Sequence, residues 1–383
     1  MKTWSAALAI LVLSACGGGG SGASSVPSLP NTVAPGQGAL TGGNSTPTPP
    51  GVNPTPVPTN PAPTPTPPTV AAAGCPMFPG TAGGSSGGWF NTDVSSAPID
   101  GNSNAYIKAY ADVSTAGFTI WSPAAPYVNI VSTSTPLLPI TSSHHPANYS
   151  PWSMPWGLQT RGTMTQIESS TGSDGHYEVL TTAENGSIPS CTLWEGGYVA
   201  NNGSSFSVYN AGRWNTRVPF SPTLQGSSTA DASGIPLAAI TIRPEELASG
   251  AINHALGWSA IGCGKQMSFN PATSVLPSAP MSVGCMPYSG PSGDTPMPYG
   301  SHIRLKASFN DAGFTPAAQV IVTALKKYGA YLFDTGCCNV LDASNDQYGS
   351  ISTYVNSTVD QNLNSIVITD FDVISPQNSN APN

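Results

Sequence analysis

From Gly17 to Gly74 the chain carries no charged residue, and proline recurs through the second half of that stretch. No other feature limits the fold as much. Proline fixes φ and donates no backbone hydrogen bond, so Thr46 to Pro68, which alternates Pro and Thr, suits neither a helix interior nor a central strand. Its expected form is extended polyproline II, with a reach on the order of 70 Å at about 3.1 Å per residue. Gly17 to Gly22, rich in Gly and Ser, is expected to be flexible coil. The whole stretch reads as a spacer, so a folded core has to come from residues 75–383.

What precedes the spacer reads as an address. Met1-Lys2-Thr3 is a short positive region and Trp4 to Leu13 an apolar run. The run is shorter than the roughly 20 residues that span a bilayer, and it suits a secretory signal peptide. Leu13-Ser14-Ala15-Cys16 resembles the bacterial lipobox, in which the Cys is diacylated and becomes the new N-terminus. The expectation is a signal peptide over 1–15 and a lipidated Cys16 heading a tether over 16–74. The implied partner is the membrane, reached through that lipid. Gly17 rather than Asp after the Cys favours the outer membrane or the cell surface.

Setting Cys16 aside leaves Cys75, Cys191, Cys263, Cys285, Cys337 and Cys338. An even set in an exported chain reads as disulfides. Cys263–Cys285 would close a short loop. The adjacent Cys337 and Cys338 are expected to bond to different partners, with Cys75 and Cys191 as candidates. No C-x-x-C pair exists, so no zinc or other metal is expected. No cofactor signature is present. The net charge of −8, with scattered Lys and Arg, argues against a nucleic-acid partner.

Residues 75–383 are read as one disulfide-stabilised, mainly β domain. Thr, Ser, Val, Ile and Tyr dominate, punctuated by Gly, Pro and Asn, as in a β-sandwich or jelly-roll-like fold. Strands are expected at Gly117 to Trp121, Tyr177 to Thr182, Ser205 to Tyr209, Ile252 to Trp258, His302 to Ser308 and Ser365 to Phe371. Helices are expected over Asn102 to Ala111, Pro244 to Ser249 and, best formed, about 315–328. There Thr315 caps, Pro316 opens, Lys326 and Lys327 close and Gly329 terminates. Val320, Ile321, Ala324, Leu325 and Tyr328 share one helical face.

With so few charges, an acidic residue in an apolar strand is informative, because its burial is costly unless paired. Glu195 lies in Cys191-Thr192-Leu193-Trp194-Glu195-Gly196-Gly197-Tyr198, flanked by Leu and near two aromatics. Such a setting raises a carboxyl pKa for acid–base work. Asp174 opens a turn into a strand whose His176 and Glu178 share a face. Asp231 precedes the turn Gly234-Ile235-Pro236 and is placed to orient His254. Asp334 ends a short strand after the best helix. Each has a plain structural alternative: a solvated edge, an ion pair, a turn or a core histidine.

The pieces Thr229-Ala230-Asp231 with Gly234-Ile235-Pro236, Ile242-Arg243-Pro244-Glu245-Glu246 and Ile252-Asn253-His254-Ala255-Leu256 occur in order. Ile303-Arg304-Leu305-Lys306-Ala307-Ser308-Phe309, Leu325-Lys326-Lys327-Tyr328-Gly329 and Asp334 with Gly336 follow. Together they resemble a group of uncharacterised exported bacterial proteins, and Cys191 to Glu195 is similar to a Cys-x-Leu-Tyr-Glu pattern there, with Trp194 for Tyr. The resemblance implies one long-range unit and marks Glu195, Asp231, His254 and Asp334. It implies no reaction.

Two functions follow from these residues. The first is an envelope-anchored enzyme acting on a polysaccharide, a glycoside hydrolase or lyase. Glu195 would be acid or base, Asp174 or Asp231 the partner carboxylate and His254 an assisting group. Trp194, Trp214, Trp258 and Tyr198 would line the sugar subsites. The second is a non-catalytic carbohydrate-binding or adhesion module. An enzyme calls for a cleft containing Glu195, His254 and an Asp. A binder calls for an exposed aromatic platform with those residues scattered or buried.

Overall fold

The computed structural model describes residues 75–78, 90–120, 128–131, 135–141, 153–155, 175–182, 189–218, 233, 235–261, 290–336, 338–345 and 350–375. In chain order the strands are β1 (Thr119–Ile120), β2 (Val128–Val131), β3 (Leu137–Thr141), β4 (Ser153–Pro155), β5 (Tyr177–Thr181), β6 (Thr192–Gly197) and β7 (Ala200–Asn201). They continue as β8 (Phe206–Ser207), β9 (Asn210–Asn215), β10 (Leu256–Ala260), β11 (His302–Leu305), β12 (Ala330–Thr335), β13 (Val340–Leu341) and β14 (Phe371–Val373). The helices are α1 (Ser103–Val113), α2 (Pro244–Ser249), α3 (Pro316–Lys327) and α4 (Ser357–Asn364).

The strands form three sheets, ordered β1-β13-β10-β12-β11-β14, β2-β5-β6-β9 and β4-β3-β8-β7. The fold is mainly β, as expected, and its sheets share cores in sandwich fashion. Parallel pairs β1/β13, β10/β12, β2/β5 and β3/β8 set it apart from an antiparallel jelly roll.

The sheet β2-β5-β6-β9 sends apolar side chains into a core on each face, and strand alternation explains why. Val128, Ile130, Leu180, Leu193 and Trp214 join a core with Ile120, Leu256, Trp258 and Leu332 of the six-stranded sheet and Ile321 of α3. The opposite face sends Val131, Tyr177, Val179 and Trp194 into a second core with Ile140 and Phe206. Every described residue of β2, β5 and β6 is buried. Any charge on these strands therefore sits where water cannot reach it.

The helix best marked in the sequence forms as read. Thr315 Oγ1 accepts the N–H of Ala318, Pro316 occupies the first turn, and Lys326 and Lys327 lie in the last. Ala318, Ile321, Val322, Ala324 and Leu325 are its buried residues. Gly329 follows at φ 72°, where a Cβ would lie 2.3 Å from the Ile303 carbonyl oxygen, so only glycine fits. Helix α2 matches its expected limits, and α1 begins and ends within two residues of its own.

Two expectations fail outright, and the strands expected over Ile252 to Trp258 and His302 to Ser308 form only in part, β10 from Leu256 and β11 as far as Leu305. Ser365 to Phe371 is not a strand: α4 precedes it, Ile368–Asp370 is a 3-10 turn, and β14 begins only at Phe371. Asp370 Oδ2 accepts the N–H of Val367 and closes that turn, which apolar content alone does not reveal. Asn356 caps α4, its Oδ1 accepting from the N–H groups of Thr358 and Val359. The second failure is in the disulfides. Cys75 bonds to Cys191, with Cα atoms 5.4 Å apart and a sequence separation of 116. Neither is therefore open to Cys337 or Cys338. Cys338 is itself disulfide-bonded. Cys16, Cys263, Cys285 and Cys337 lie outside the described residues.

Candidate functional site

Glu195 sits on β6 and points, with Leu193, toward the core shared with the six-stranded sheet. It has no exposed surface. Its Oε2 accepts the Leu237 N–H and its Oε1 the Ala238 N–H, both at 3.0 Å. These two N–H groups open the 3-10 turn Leu237–Ala239, where no intrahelical carbonyl is available to them. The carboxyl thus supplies what the turn lacks.

The strands on either side define the rest of its surroundings. In register, Glu195 lies opposite Gly212 of β9 and opposite Glu178 of β5. A Cβ on Gly212 would meet the Trp214 indole at 2.0 Å, so that ring folds over the glycine beside Glu195. Trp194 does not flank the carboxyl as the sequence suggests, because alternation sends it to the second core. Burial, the largest influence, pushes the Glu195 carboxyl up to about 7. The two backbone N–H groups and His176 oppose that rise, and Asp342 adds to it. Asp342 is half-buried, and the Thr241 hydroxyl lies between it and the Leu237 carbonyl.

His254 belongs to a separate buried cluster. Its Nε2 lies 2.9 Å from Glu246 Oε1 and its Nδ1 2.8 Å from the Ala255 carbonyl oxygen. Arg243 Nη2 also binds Glu246 Oε1, and the Arg243 N–H donates to Glu246 Oε2 at 3.0 Å. Burial alone would raise the Glu246 pKa, but Arg243 and then His254 outweigh it and hold the carboxyl below its ordinary value. Both His254 ring nitrogens thus lie within hydrogen-bond distance of an oxygen. The cluster closes the first turn of α2 from within.

Glu195 and His254 are therefore not a direct acid–base pair. They are linked through the residue Ala238, whose N–H goes to Glu195 and whose carbonyl accepts from Arg243 Nη1 at 3.0 Å. Asp231, the group expected to orient His254, lies outside the described residues, as does Asp174. Asp334 is half-buried near the end of β12, and its Oδ1 accepts the N–H of Thr335 at 2.7 Å.

The aromatic residues divide sharply. Trp194, Trp214 and Trp258 are buried and present no face to a ligand. Trp258 packs against Tyr110 and Phe118, and its Nε1 donates to Asn339 Oδ1. Tyr198 alone of the expected aromatics is open, at 56% exposure. It is held at φ 51°, a conformation uncommon for a bulky residue. The half-buried Tyr209 meets it edge-on, with ring centroids 5.8 Å apart.

No family model, curated protein or solved structure matches the chain. Function has to be argued from these residues.

Among the described residues no group of three or more His, Cys, Asp or Glu is arranged to hold a metal ion. No described helix is long and apolar enough to cross a membrane. Sequence reasoning missed Arg243, Glu246, Gly212 and Tyr209. The signal for the first two was present: Arg243 and Glu246 stand three apart at a Pro-marked helix start, the spacing at which side chains meet.

Proposed function

We propose that this protein is a lipid-tethered, non-catalytic carbohydrate-binding or adhesion module of the bacterial envelope. Tyr198 and Tyr209 would be the ring-stacking part of its binding face. The observation that carries this reading is the contrast in exposure. The acid–base candidates Glu195 and His254 are buried with their polar atoms bonded to protein groups, while an exposed tyrosine is held in a strained backbone conformation. Strain of that kind persists where surrounding structure imposes it, and it concentrates at ligand contacts. An amphipathic ring suits the C–H face of a sugar. The lipobox-like start and the Pro/Thr spacer would hold this face away from the membrane.

The test is a glycan panel scored for both retention and depolymerisation, using the full chain and Tyr198→Ala. Retention of a glycan by the wild type, lost in the variant and without chain cleavage, is the expected result. Retention unchanged in Tyr198→Ala removes the proposed face.

One observation favours the polysaccharide-degrading reading instead. The Glu195 carboxyl lies near neutrality and has a second carboxyl, Glu178, directly across the strand pair. Cleavage of any glycan in the panel, abolished in a folded Glu195→Gln protein, would replace the binding reading with the enzymatic one.

A further inference from the structure

Strands β6 to β9 form one continuous hairpin. Gly197 pairs with Asn210 and Ala200 with Ser207, so a single register runs from the sheet β2-β5-β6-β9 into the sheet β4-β3-β8-β7. Tyr198 and Tyr209 stand where the hairpin changes sheet. There the Tyr209 N–H donates to the Gly197 carbonyl and the Val199 N–H to the Gly175 carbonyl, each at 3.0 Å. At the far end the Asn202 N–H donates to the Ser205 carbonyl at 2.9 Å, across a turn made of Gly203 and Ser204.

Alternation divides this outer half of the hairpin into two faces. Val199, Phe206 and Val208 belong to the second core and hold the hairpin from below. Tyr198, Ala200 and Asn202 are exposed, and across from them Tyr209, Ser207 and Ser205 are half-buried. The outer face therefore presents, in line, an aromatic pair, a low step and an amide beside a hydroxyl. Alternate residues of a strand stand about 6.7 Å apart, so the line is longer than one sugar ring. It is open at the tip, where a Cβ on Gly203 would meet nothing within 4 Å.

Charge decides the class of ligand. Residues 196–212 contain no Asp, Glu, Lys, Arg or His, and the whole chain has a net charge of −8. An anionic polymer calls for cations on the face that binds it, and a cationic one for carboxylates. The hairpin supplies neither. An uncharged polymer with apolar C–H faces and many hydroxyls matches a tyrosine pair beside amide and hydroxyl groups.

We propose that the outer face of residues 198–209 binds an uncharged polysaccharide along its length. One sugar ring lies on Tyr198 and Tyr209, and the next units pass over Ala200 and Ser207 to Asn202 and Ser205. The proposal rests on the binding reading above and names its ligand class. The packed underside presents the face ready formed, so binding has little ordering left to supply. The open tip lets a long polymer overrun the hairpin, so internal segments are recognised as well as chain ends.

The test uses the full chain and three kinds of probe: neutral polymers (glucan, mannan and xylan), oligosaccharides of increasing length cut from them, and a polyuronate. The wild type should retain a neutral polymer equally at low and high salt, with affinity rising with length beyond the disaccharide. Asn202→Ala should lose about two- to tenfold in affinity for the longer oligosaccharides, the worth of one hydrogen bond, and nothing for the disaccharide. Retention of the polyuronate alone, weakened by salt, overturns the neutral class; if Tyr198→Ala abolishes it, the binding reading still stands. A neutral glycan held through Tyr198 with no gain in affinity beyond the disaccharide overturns the extended face and leaves the binding reading in place. So does an Asn202→Ala protein that matches the wild type at every length. No retention of any probe overturns both. The length series is read in the wild type and does not depend on how the variants fold.

Discussion

Glu195 and Arg243 grip opposite sides of one residue: the Ala238 N–H donates to Glu195, and the Ala238 carbonyl accepts from Arg243. One strand of the middle sheet and the start of α2 are thereby tied to the same turn. Arg243 also neutralises the buried Glu246. Replacing it with Met would leave the buried carboxylate with His254 alone beside it, at a cost of about 3–5 kcal/mol. Denaturant unfolding of Arg243→Met measures this. A loss below about 1 kcal/mol would show that water reaches the cluster.

His302 gives an acid-side dependence. Burial, helped by Arg304 and opposed by a hydrogen bond to the Tyr328 carbonyl, drives its pKa down from 6.5 to about 4. The unfolded chain therefore takes up the proton first. Stability from His302 is complete above pH 6.5 and is lost as pH falls toward about 4. The total is on the order of 3 kcal/mol. Thermal melts across that window should slope downward toward acid, and the slope should flatten in His302→Gln.

Gly212 is held small by a neighbour. A methyl group there would sit 2.0 Å from the Trp214 ring. Gly212→Ala should displace the indole from beside Glu195 and cost about 1–3 kcal/mol. A changed near-ultraviolet spectrum with a lowered Tm would report it. An unchanged spectrum would mean the ring has room to move.

The Cys75–Cys191 bond closes a long loop, with 116 residues of sequence separation. Restricting the unfolded chain over such a length is worth about 4–5 kcal/mol. The double variant Cys75→Ser with Cys191→Ser should show a loss of that size in denaturant unfolding.

Tyr198 separates stability from binding. Its φ of 51° suits glycine better than tyrosine, and most of its side chain is exposed. Tyr198→Gly should leave stability unchanged or raise it by up to about 1 kcal/mol, while glycan retention falls. Stability lost in step with retention would mark the ring as a packing element.

The sequence by itself determined what is local. Helix α3 could be read because capping by Thr315, Pro316 and Gly329 acts within a few residues. The strands at 177 and 206 could be read because alternation and turn residues are also near-neighbour effects. It singled out Glu195 too, since a carboxylate between Leu193 and Gly197 in an apolar run has to be paid for somewhere.

What answers that carboxylate lies far along the chain, and only the tertiary structure decided it. The N–H groups of Leu237 and Ala238 reach Glu195 because the 3-10 turn packs against β6. Glu178 faces it because β5 and β6 pair in one register and not another; a slip of one residue would turn every side chain to the other core. The same geometry took Trp194 away from Glu195 and put Trp214 beside it. It joined Cys75 to Cys191, and it left Tyr198 as the open aromatic among those the sequence had marked. Spacing along a chain sets which way a side chain faces within its own element. Which element faces it across a core is set by packing summed over the whole domain.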